Sequence, residues 1–277
     1  LTPTVDEKFA ISEARRYRGR AWKGYGEGLL ESRLQDERDE ASAVYPGCRG
    51  VGYYVYDAIS RWTVYHFHDT SANSPMRRSE IAEDCERLRN DGGNIAPFLR
   101  ALKEGGSDQR ESYRRIVENV RVVMPFFDDF RLDVVNVGAA EKVKLSWRQW
   151  GSDYPFQPYH LSDGSIRFIC LAAALLQPDL PSTIIIDEPE LGLHPMAICQ
   201  FAEMVKLAAR QTQVIVATQS PQLIDHFGVE DLIVVRRSAG ASVFERLKEA
   251  DFKVWLEDYS LGELWQKNVI AGGPTHE

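Results

Sequence analysis

Residues 183–190, Thr-Ile-Ile-Ile-Asp-Glu-Pro-Glu, constrain the fold of this chain more than any other stretch. Four β-branched residues in succession predict a strand buried on both faces, as in a parallel sheet covered by helices. Asp187 and Glu188 follow where that strand should end. Ligands of open α/β sheets bind at the carboxyl ends of the strands, so these two acids are predicted to face a site. Carboxylates beside an apolar core are costly unless a cation or a reaction needs them.

Two further motifs flank this strand. Residues 214–221, Val-Ile-Val-Ala-Thr-Gln-Ser-Pro, predict a second buried strand that ends in polar residues, among them Gln219. Helical and strand patterns alternate through this half of the chain, which predicts parallel strands with helices on both sides. Upstream, an apolar helical pattern opens with Leu161, Ser162, Asp163, Gly164 and Ser165.

The order and wording of these motifs (LSDGS, IIIDEPELGLHP, VIVATQSP) resemble the ATP-binding-cassette type of ATPase. Within that type they look like the RecF/SMC-like branch, often labelled simply as AAA-family ATPases. The resemblance continues through residues 65–70, 75–78 and 258–265, and so covers most of the chain from about Tyr53 onward. It implies an α/β fold of the P-loop NTPase, ABC-ATPase type. That fold has a largely parallel sheet flanked by helices, with a β-hairpin and a small helical insertion lobe.

The same resemblance implies that the chain is divided into three structural parts. Residues 1–70 would be the remnant of an N-terminal ATPase lobe, and residues 71–128 a helical insertion lobe. Residues 129–277 would form the C-terminal ATPase lobe, which carries the signature, the Walker B acid, the D-loop and the switch region.

Local patterns add element boundaries. Residues 71–127 are expected to be helical, with one helix starting at Asn94. Alternation between residues 130 and 147 predicts a β-hairpin. Strands over 231–236 and 242–246 are expected at the edge of the parallel sheet.

The acids have a chemistry that suits nucleotide hydrolysis. Such hydrolysis needs a divalent cation to offset phosphate charge, and a carboxylate at the end of a buried strand can hold Mg²⁺. By the resemblance, Asp187 is the Walker B acid and Glu188 the catalytic glutamate, which activates or orients the attacking water. The alternative is that both acids merely start a turn. Gln219 stands where many cassette ATPases carry a switch histidine; it can hydrogen-bond a γ-phosphate but cannot take up a proton.

The residues of the LSDGS motif are also suited to binding phosphate. Ser162 offers a hydroxyl, Gly164 permits close backbone approach, and a helix expected from Ser165 exposes free N–H groups. The alternative is an ordinary N-cap before an amphipathic helix. In the family, Leu161 to Ser165 would contact ATP held mainly by another protomer, which implies a homodimer closed around ATP. Asp163 replaces the first glycine of the common signature, and residues 190–195 match the D-loop, which would face the partner.

No G-x-x-x-x-G-K-[ST] motif occurs in the 277 residues. Without that loop the α- and β-phosphates have no cradle. The family carries it near the N-terminus, so we expect it upstream of Leu1. We expect the full-length protein, with ATP and Mg²⁺, to hydrolyse ATP.

Three functions are compatible with these motifs. The first is ATP hydrolysis coupled to dimerisation, in DNA repair, chromosome maintenance or phage defence, with DNA as a partner. The second is a non-hydrolysing scaffold or switch for a nuclease or toxin partner. The third is a metal-dependent nuclease at Asp187 and Glu188, which needs further acids that no motif supplies.

His66 and His68 suit either a metal site or a packed pair.

Composition limits the cellular compartment and the kinds of partner that this chain can have. The net charge of −8 argues against a protein that coats nucleic acid through general basicity, though not against a local basic patch. The four cysteines show no CxxC pairing, and Cys170 and Cys199 are expected to be buried in a reducing cytosol. No apolar run approaches the length of a membrane span. The expected location is therefore cytoplasmic, without a membrane partner.

Overall fold

The structure, a computed structural model, divides the chain into two compact units, Leu1–Trp62 and Thr63–Glu277. Side chains are described for residues 53–237 and 241–270. The backbone is described for residues 2–3, 9–15, 23–29, 51–238 and 241–270.

The first unit contains an antiparallel sheet in the order β1–β2–β3 and one helix among its described residues. Much of residues 1–50 lies outside the described part, so the predicted N-terminal lobe stays a prediction. The elements are β1 (Thr2–Pro3), β2 (Phe9–Arg15), β3 (Lys23–Leu29) and α1 (Val51–Ser60).

The following elements succeed one another along the chain, joined by loops and short 3₁₀ turns. They are β4 (Trp62–Tyr65), β5 (Glu80–Ile81), α2 (Ile95–Glu104), α3 (Ser107–Val123), β6 (Phe127–Arg131), β7 (Val134–Val137), β8 (Ala140–Val143), β9 (Ser146–Gln149), α4 (Asp163–Leu176), β10 (Thr183–Asp187), α5 (Pro195–Ala208), β11 (Gln213–Ala217), α6 (Pro221–Ile224), β12 (Ile233–Ser238), β13 (Ala241–Arg246), α7 (Glu249–Phe252) and α8 (Leu261–Gln266).

The central sheet has the order β11–β10–β4. β10 and β11 pair in parallel, in register from Thr183 opposite Gln213 to Asp187 opposite Ala217. Because both strands run the same way, their carboxyl ends lie side by side. The predicted α/β fold with parallel strands and flanking helices is therefore confirmed.

Four helices share one apolar core in the second unit. Each of α2, α3, α4 and α5 contributes fully buried side chains to this core. Examples, one from each helix and each 0% exposed, are Leu99, Ile116, Phe168 and Phe201. α4 is buried along almost its whole length because residues 166–176 are apolar apart from Arg167. The helical pair α2–α3 thus packs in the same core as the helices beside the predicted site.

The predicted β-hairpin is confirmed and is nested. β7 pairs with β8 on the inside, and β6 pairs with β9 on the outside. Trp147 on β9 is 3% exposed and stacks on Phe156, with ring centroids 4.5 Å apart. These two aromatic rings therefore stabilise the core.

Several sequence expectations are wrong. β11 is not a buried strand, because it lies at the edge of the described sheet and its residues alternate between exposed and half-buried. Residues 71–94 hold a 3₁₀ turn and the short β5 but no α-helix, since turn-forming residues such as Gly92 (φ 69°) interrupt the pattern. β12 and β13 pair with each other as a separate antiparallel ribbon, not at the edge of the parallel sheet. Cys199 is exposed, because the buried face of α5 runs through Ala197, Ile198 and Phe201 and leaves position 199 outside.

Within the described residues, no helix combines the length and the apolar character that a membrane crossing requires.

We expect Ile116→Ala to lower the free energy of unfolding by about 2–5 kcal/mol, because it leaves a cavity in a fully packed core. Urea unfolding should show one cooperative transition shifted as a whole, since α3 shares its core with α4 and α5. Val122→Ala is the control on the same helix, because Val122 is 49% exposed. Two transitions, of which only one moves, would show that the helical pair folds as a separate lobe.

Candidate active site

The first part of the site lies where β10 and β11 end. The Glu188 N–H donates to Ala217 O at 2.8 Å, which extends the pairing one residue past Asp187. Asp187 is half-buried, and its carboxylate has no hydrogen-bond or ion-pair partner among the described residues. A carboxylate in this position is available to a cation.

The backbone of Glu188 is strained. Its φ is +43°, in the left-handed region that side chains with a Cβ avoid. A conformation of this kind costs about 1–2 kcal/mol and is typical of functional sites. A glycine here could adopt the same turn without that cost.

Glu190 links the two strand ends. Its Oε1 accepts hydrogen bonds from Thr218 Oγ1 at 2.6 Å and from the Gln219 N–H at 3.3 Å. The Gln219 amide nitrogen donates in turn to Glu188 Oε1 at 3.3 Å. The structure therefore brings together Glu188 and Gln219, the two residues predicted to be catalytic.

Sequence reasoning gave Thr218 no role and placed Glu190 only at the start of the stretch that matches the D-loop. Their signal is weak, because an acid after a proline and a threonine after a strand are both ordinary turn residues. Glu190 Oε2 is buried and has no partner among the described groups. Burying an unpaired carboxylate oxygen is unfavourable, so the bonds at Oε1 must outweigh this cost.

We use the name signature turn for residues 161–165. Its helix, α4, begins at Asp163 and not at Ser165 as predicted. The reason is the cap: Ser162 Oγ accepts the Ser165 N–H at 3.1 Å and so satisfies a free amide of the first turn. Leu161 is 5% exposed and anchors the turn, whereas Ser162 and Asp163 are exposed.

The signature turn packs directly against the predicted D-loop of the same molecule. A Cβ placed on Gly164 would lie 2.2 Å from Gly192 O, closer than any real contact. Gly192 itself has φ +71°. Gly164 is therefore required for packing, whether or not a phosphate also approaches it.

Two buried arginines hold the segment 67–70, which lies between the signature turn and β10. Arg167 Nε donates to Phe67 O at 2.9 Å, and Arg167 Nη2 donates to His68 O at 3.2 Å. Arg77 Nε donates to Thr70 O at 3.0 Å. Burial lowers the pKa of Arg167, and the nearby Asp163 charge partly opposes that shift.

His68 connects the same segment to the strand end. Its Nε2 lies 2.8 Å from Asp187 O, to which it donates. The His66 and His68 rings are 6.2 Å apart, edge to face. In the described part of the chain no three His, Cys, Asp or Glu side chains are grouped so that they could hold a metal. The two rings therefore fit a packed pair, of which His68 is hydrogen-bonded to the strand end, better than a metal site.

The comparison with protein families agrees with the motifs. The model described as "AAA domain, putative AbiEii toxin, Type IV TA system" matches residues 4–225. The chain belongs to this AAA-domain family. No curated protein matches its sequence.

Three solved structures of SMC proteins are similar to this AAA-domain chain. One, from work on ATP-driven dimerisation and DNA-stimulated activation of SMC ATPases, is 19% identical (TM-score 0.41; 58% of this chain, 94% of that one). The SMC head bound to the C-winged helix domain of ScpA is 14% identical (TM-score 0.46; 74% and 64%). The SMC head from Thermotoga maritima is also 14% identical (TM-score 0.40; 89% and 72%). This chain thus spans less than two thirds of the second of these proteins.

The resemblance to the AAA family is confirmed by this match, and ATP hydrolysis of the ABC type stays a prediction. The individual roles stay predictions: Asp187 for Mg²⁺, Glu188 and Gln219 for catalysis, and the signature turn for ATP.

The strain at Glu188 predicts an unusual order of stabilities. Glu188→Gly should be more stable than Glu188→Ala by about 1 kcal/mol, because only alanine keeps a Cβ at positive φ. The free energy of unfolding in urea measures the difference. The same pair at Glu118, exposed in the middle of α3, should show the reverse order, since glycine weakens a helix interior. Alanine above glycine at both positions would contradict the strain.

Gly164→Ala should lower the free energy of unfolding by about 1–3 kcal/mol, because the new methyl group meets the Gly192 carbonyl. Helix propensity alone predicts the opposite sign, since alanine favours a helix by about 1 kcal/mol. Gly106→Ala is the control: its Cβ would lie 3.6 Å from the nearest side-chain atom. An increase in melting temperature for Gly164→Ala would rule out the close packing.

Proposed function

We propose that this chain is part of an ABC-type AAA ATPase that binds ATP and transfers its γ-phosphoryl group to water. The observation that carries the proposal is the contact between Glu188 and Gln219 at the ends of two paired parallel strands, beside the unpartnered carboxylate of Asp187. A hydrolytic site of this class needs a cation ligand, a residue that positions water and a group that senses the γ-phosphate. These three side chains supply one of each.

Asp187 would hold Mg²⁺. This ion takes one or two protein carboxylates and completes its shell with water and phosphate oxygens, so a single available carboxylate suits it. When bound, Mg²⁺ would offset the negative charge of the phosphates.

Glu188 would orient the attacking water and accept its proton. Gln219 donates to the Glu188 carboxylate in this structure and has a second amide hydrogen with which it can bind a phosphate oxygen. Glu190 and Thr218 would hold Gln219 in place for both contacts.

The assembly we propose is a homodimer with ATP between the protomers. Leu161, Ser162, Asp163, Gly164 and Ser165 would contact ATP held mainly by the partner. The exposed start of α4 supports this, because Ser162 and Asp163 are both exposed at the beginning of a 14-residue helix. The contact between Gly164 and Gly192 supports joint movement of the signature turn and the D-loop.

For the cellular role we propose phage defence. What supports it is membership in a family described by a toxin of a type IV toxin–antitoxin system. With that role, a nuclease or toxin is a better-supported partner than the proteins of DNA repair or chromosome maintenance. DNA contact stays a prediction that the family resemblance implies.

A nucleotide-dependent switch without hydrolysis is the second candidate. Gln219 cannot accept a proton, and it donates to the carboxylate that would act as the base. Tight ATP binding without turnover in the full-length protein would favour this candidate. A nuclease is less well supported, since the nearby acid Glu190 already accepts two hydrogen bonds.

Glu188→Gln in the full-length protein should lower the rate of ATP hydrolysis by about 10²–10⁴, the usual contribution of a general base. ATP binding should persist, because the amide keeps the size and one acceptor of the carboxylate. Steady-state phosphate release and calorimetry measure the two properties. Glu203→Gln is the matched control, since Glu203 is exposed on α5 and pairs only with Lys206. Equal rates of ATP hydrolysis for the wild type and Glu188→Gln would contradict the catalytic role of Glu188.

A further inference from the structure

One buried arginine, Arg77, makes hydrogen bonds to the signature turn and to the residues just before it. Arg77 follows Met76 in a 3₁₀ turn and reaches four groups on two other segments. Its Nη1 donates to the carbonyl oxygens of Pro158 and Leu161, the latter at 3.1 Å. Its Nη2 lies 2.9 Å from Asp163 Oδ1, and its Nε binds the segment 67–70.

The burial of Arg77 shows that these contacts are built into the fold. The Arg77 side chain is 6% exposed, whereas its partner Asp163 is 67% exposed. A guanidinium that leaves water needs partners for its donors. Here three backbone carbonyls and one carboxylate accept four hydrogen bonds from the five N–H groups. Thr70 O and Leu161 O belong to irregular backbone, which has no ladder to supply other donors. Pro158 O also accepts the Leu161 N–H, at 3.1 Å, at the end of a 3₁₀ turn. Arg77 therefore fixes the path of the chain into α4.

Asp163 raises an electrostatic problem. It is the first residue of α4 and stands in place of the first glycine of the common signature. Its carboxylate projects from the helix start that we propose binds the phosphates of ATP from the partner protomer. Like charges side by side oppose binding, so this carboxylate needs a counter-charge. Arg77 lies in direct contact with it, and Arg167 lies close enough to feel its charge.

We propose that Arg77 is a positioning residue for the ATP-binding signature turn, acting in two ways. It holds residues 158–163 in the conformation that presents the start of α4. It also neutralises the Asp163 carboxylate, so that this turn accepts a triphosphate despite an acid at a glycine position. This inference rests on the proposed function of the signature turn.

The first measurement tests the positioning role without nucleotide. Arg77→Gln should speed amide hydrogen exchange at residues 160–166 at least about tenfold, because hydrogen bonds from a charged group are lost. Arg78→Gln is the matched control: it removes the same charge from the next residue, which is exposed and makes no hydrogen bond or ion pair with the signature turn. Arg78→Gln should exchange like the wild type. Equal exchange in the two variants overturns the positioning role.

The second measurement tests the charge. In the full-length protein, Arg77→Gln should raise the ATP concentration for half-maximal dimerisation at least about fivefold, since an unpaired carboxylate then faces the phosphates. The double variant Arg77→Gln/Asp163→Asn should regain most of the ATP response but keep the fast amide exchange. A double variant as weak as Arg77→Gln overturns the charge compensation.

The two measurements separate this inference from the proposed function. If the wild type does not respond to ATP but Arg77→Gln still exchanges faster than Arg78→Gln, the proposed function fails and the positioning role stands. Should Arg77→Gln fail to fold, Arg77→Lys replaces it. Lysine keeps the charge but loses the forked donors, so it should show fast exchange with an ATP response close to the wild type.

Discussion

The candidate site depends on the parallel, in-register pairing of β10 with β11. This pairing sets Asp187 beside Ala217 and so places the residues that follow each strand within hydrogen-bond reach. Glu188 and Glu190 come from one strand end, and Gln219 comes from the other. A shift of one residue in either strand would turn every side chain to the opposite face and separate these groups. Ile184 and Ile186, both buried, oppose such a shift because it would expose them.

The rest of the site is organised by backbone that belongs to no helix or strand. The segment 67–70 has carbonyl groups that a ladder would otherwise satisfy, and Arg77 and Arg167 satisfy them instead. His68, in the same segment, donates to Asp187 O. A continuous set of hydrogen bonds thus joins the start of α4 to the end of β10. Any movement of the signature turn must be accommodated by this segment. It therefore gives a physical link between the strand ends that would bind the protomer's own ATP and the turn that would contact the ATP of the partner.

The sequence predicted what depends on local pattern. The strand before Asp187, the helix after Asn94 and the hairpin near Trp147 each follow from runs of side chains with a clear period. It did not predict the contacts of Arg77 with Asp163 or of His68 with Asp187, which span 86 and 119 residues of chain. No periodic pattern indicates such pairs, and an arginine beside a turn is more often solvated. The requirement for glycine at position 164 was likewise assigned to a phosphate, since the nearby Gly192 carbonyl has no signal in the sequence.

The backbone at Glu188 bears on whether the acids merely begin a turn. A turn at this point needs a residue at positive φ, and glycine or asparagine supplies it at little cost. The chain instead carries a glutamate, at a strain of about 1–2 kcal/mol. The neighbouring Glu190 keeps a buried oxygen unpaired, which adds a second unfavourable term at the same strand end. Two unfavourable contributions to the free energy of folding, at Glu188 and at Glu190, are hard to reconcile with a purely structural turn. They are expected where the carboxylates are needed for chemistry, and the fully buried core of α4 and α5 supplies the stability that offsets them.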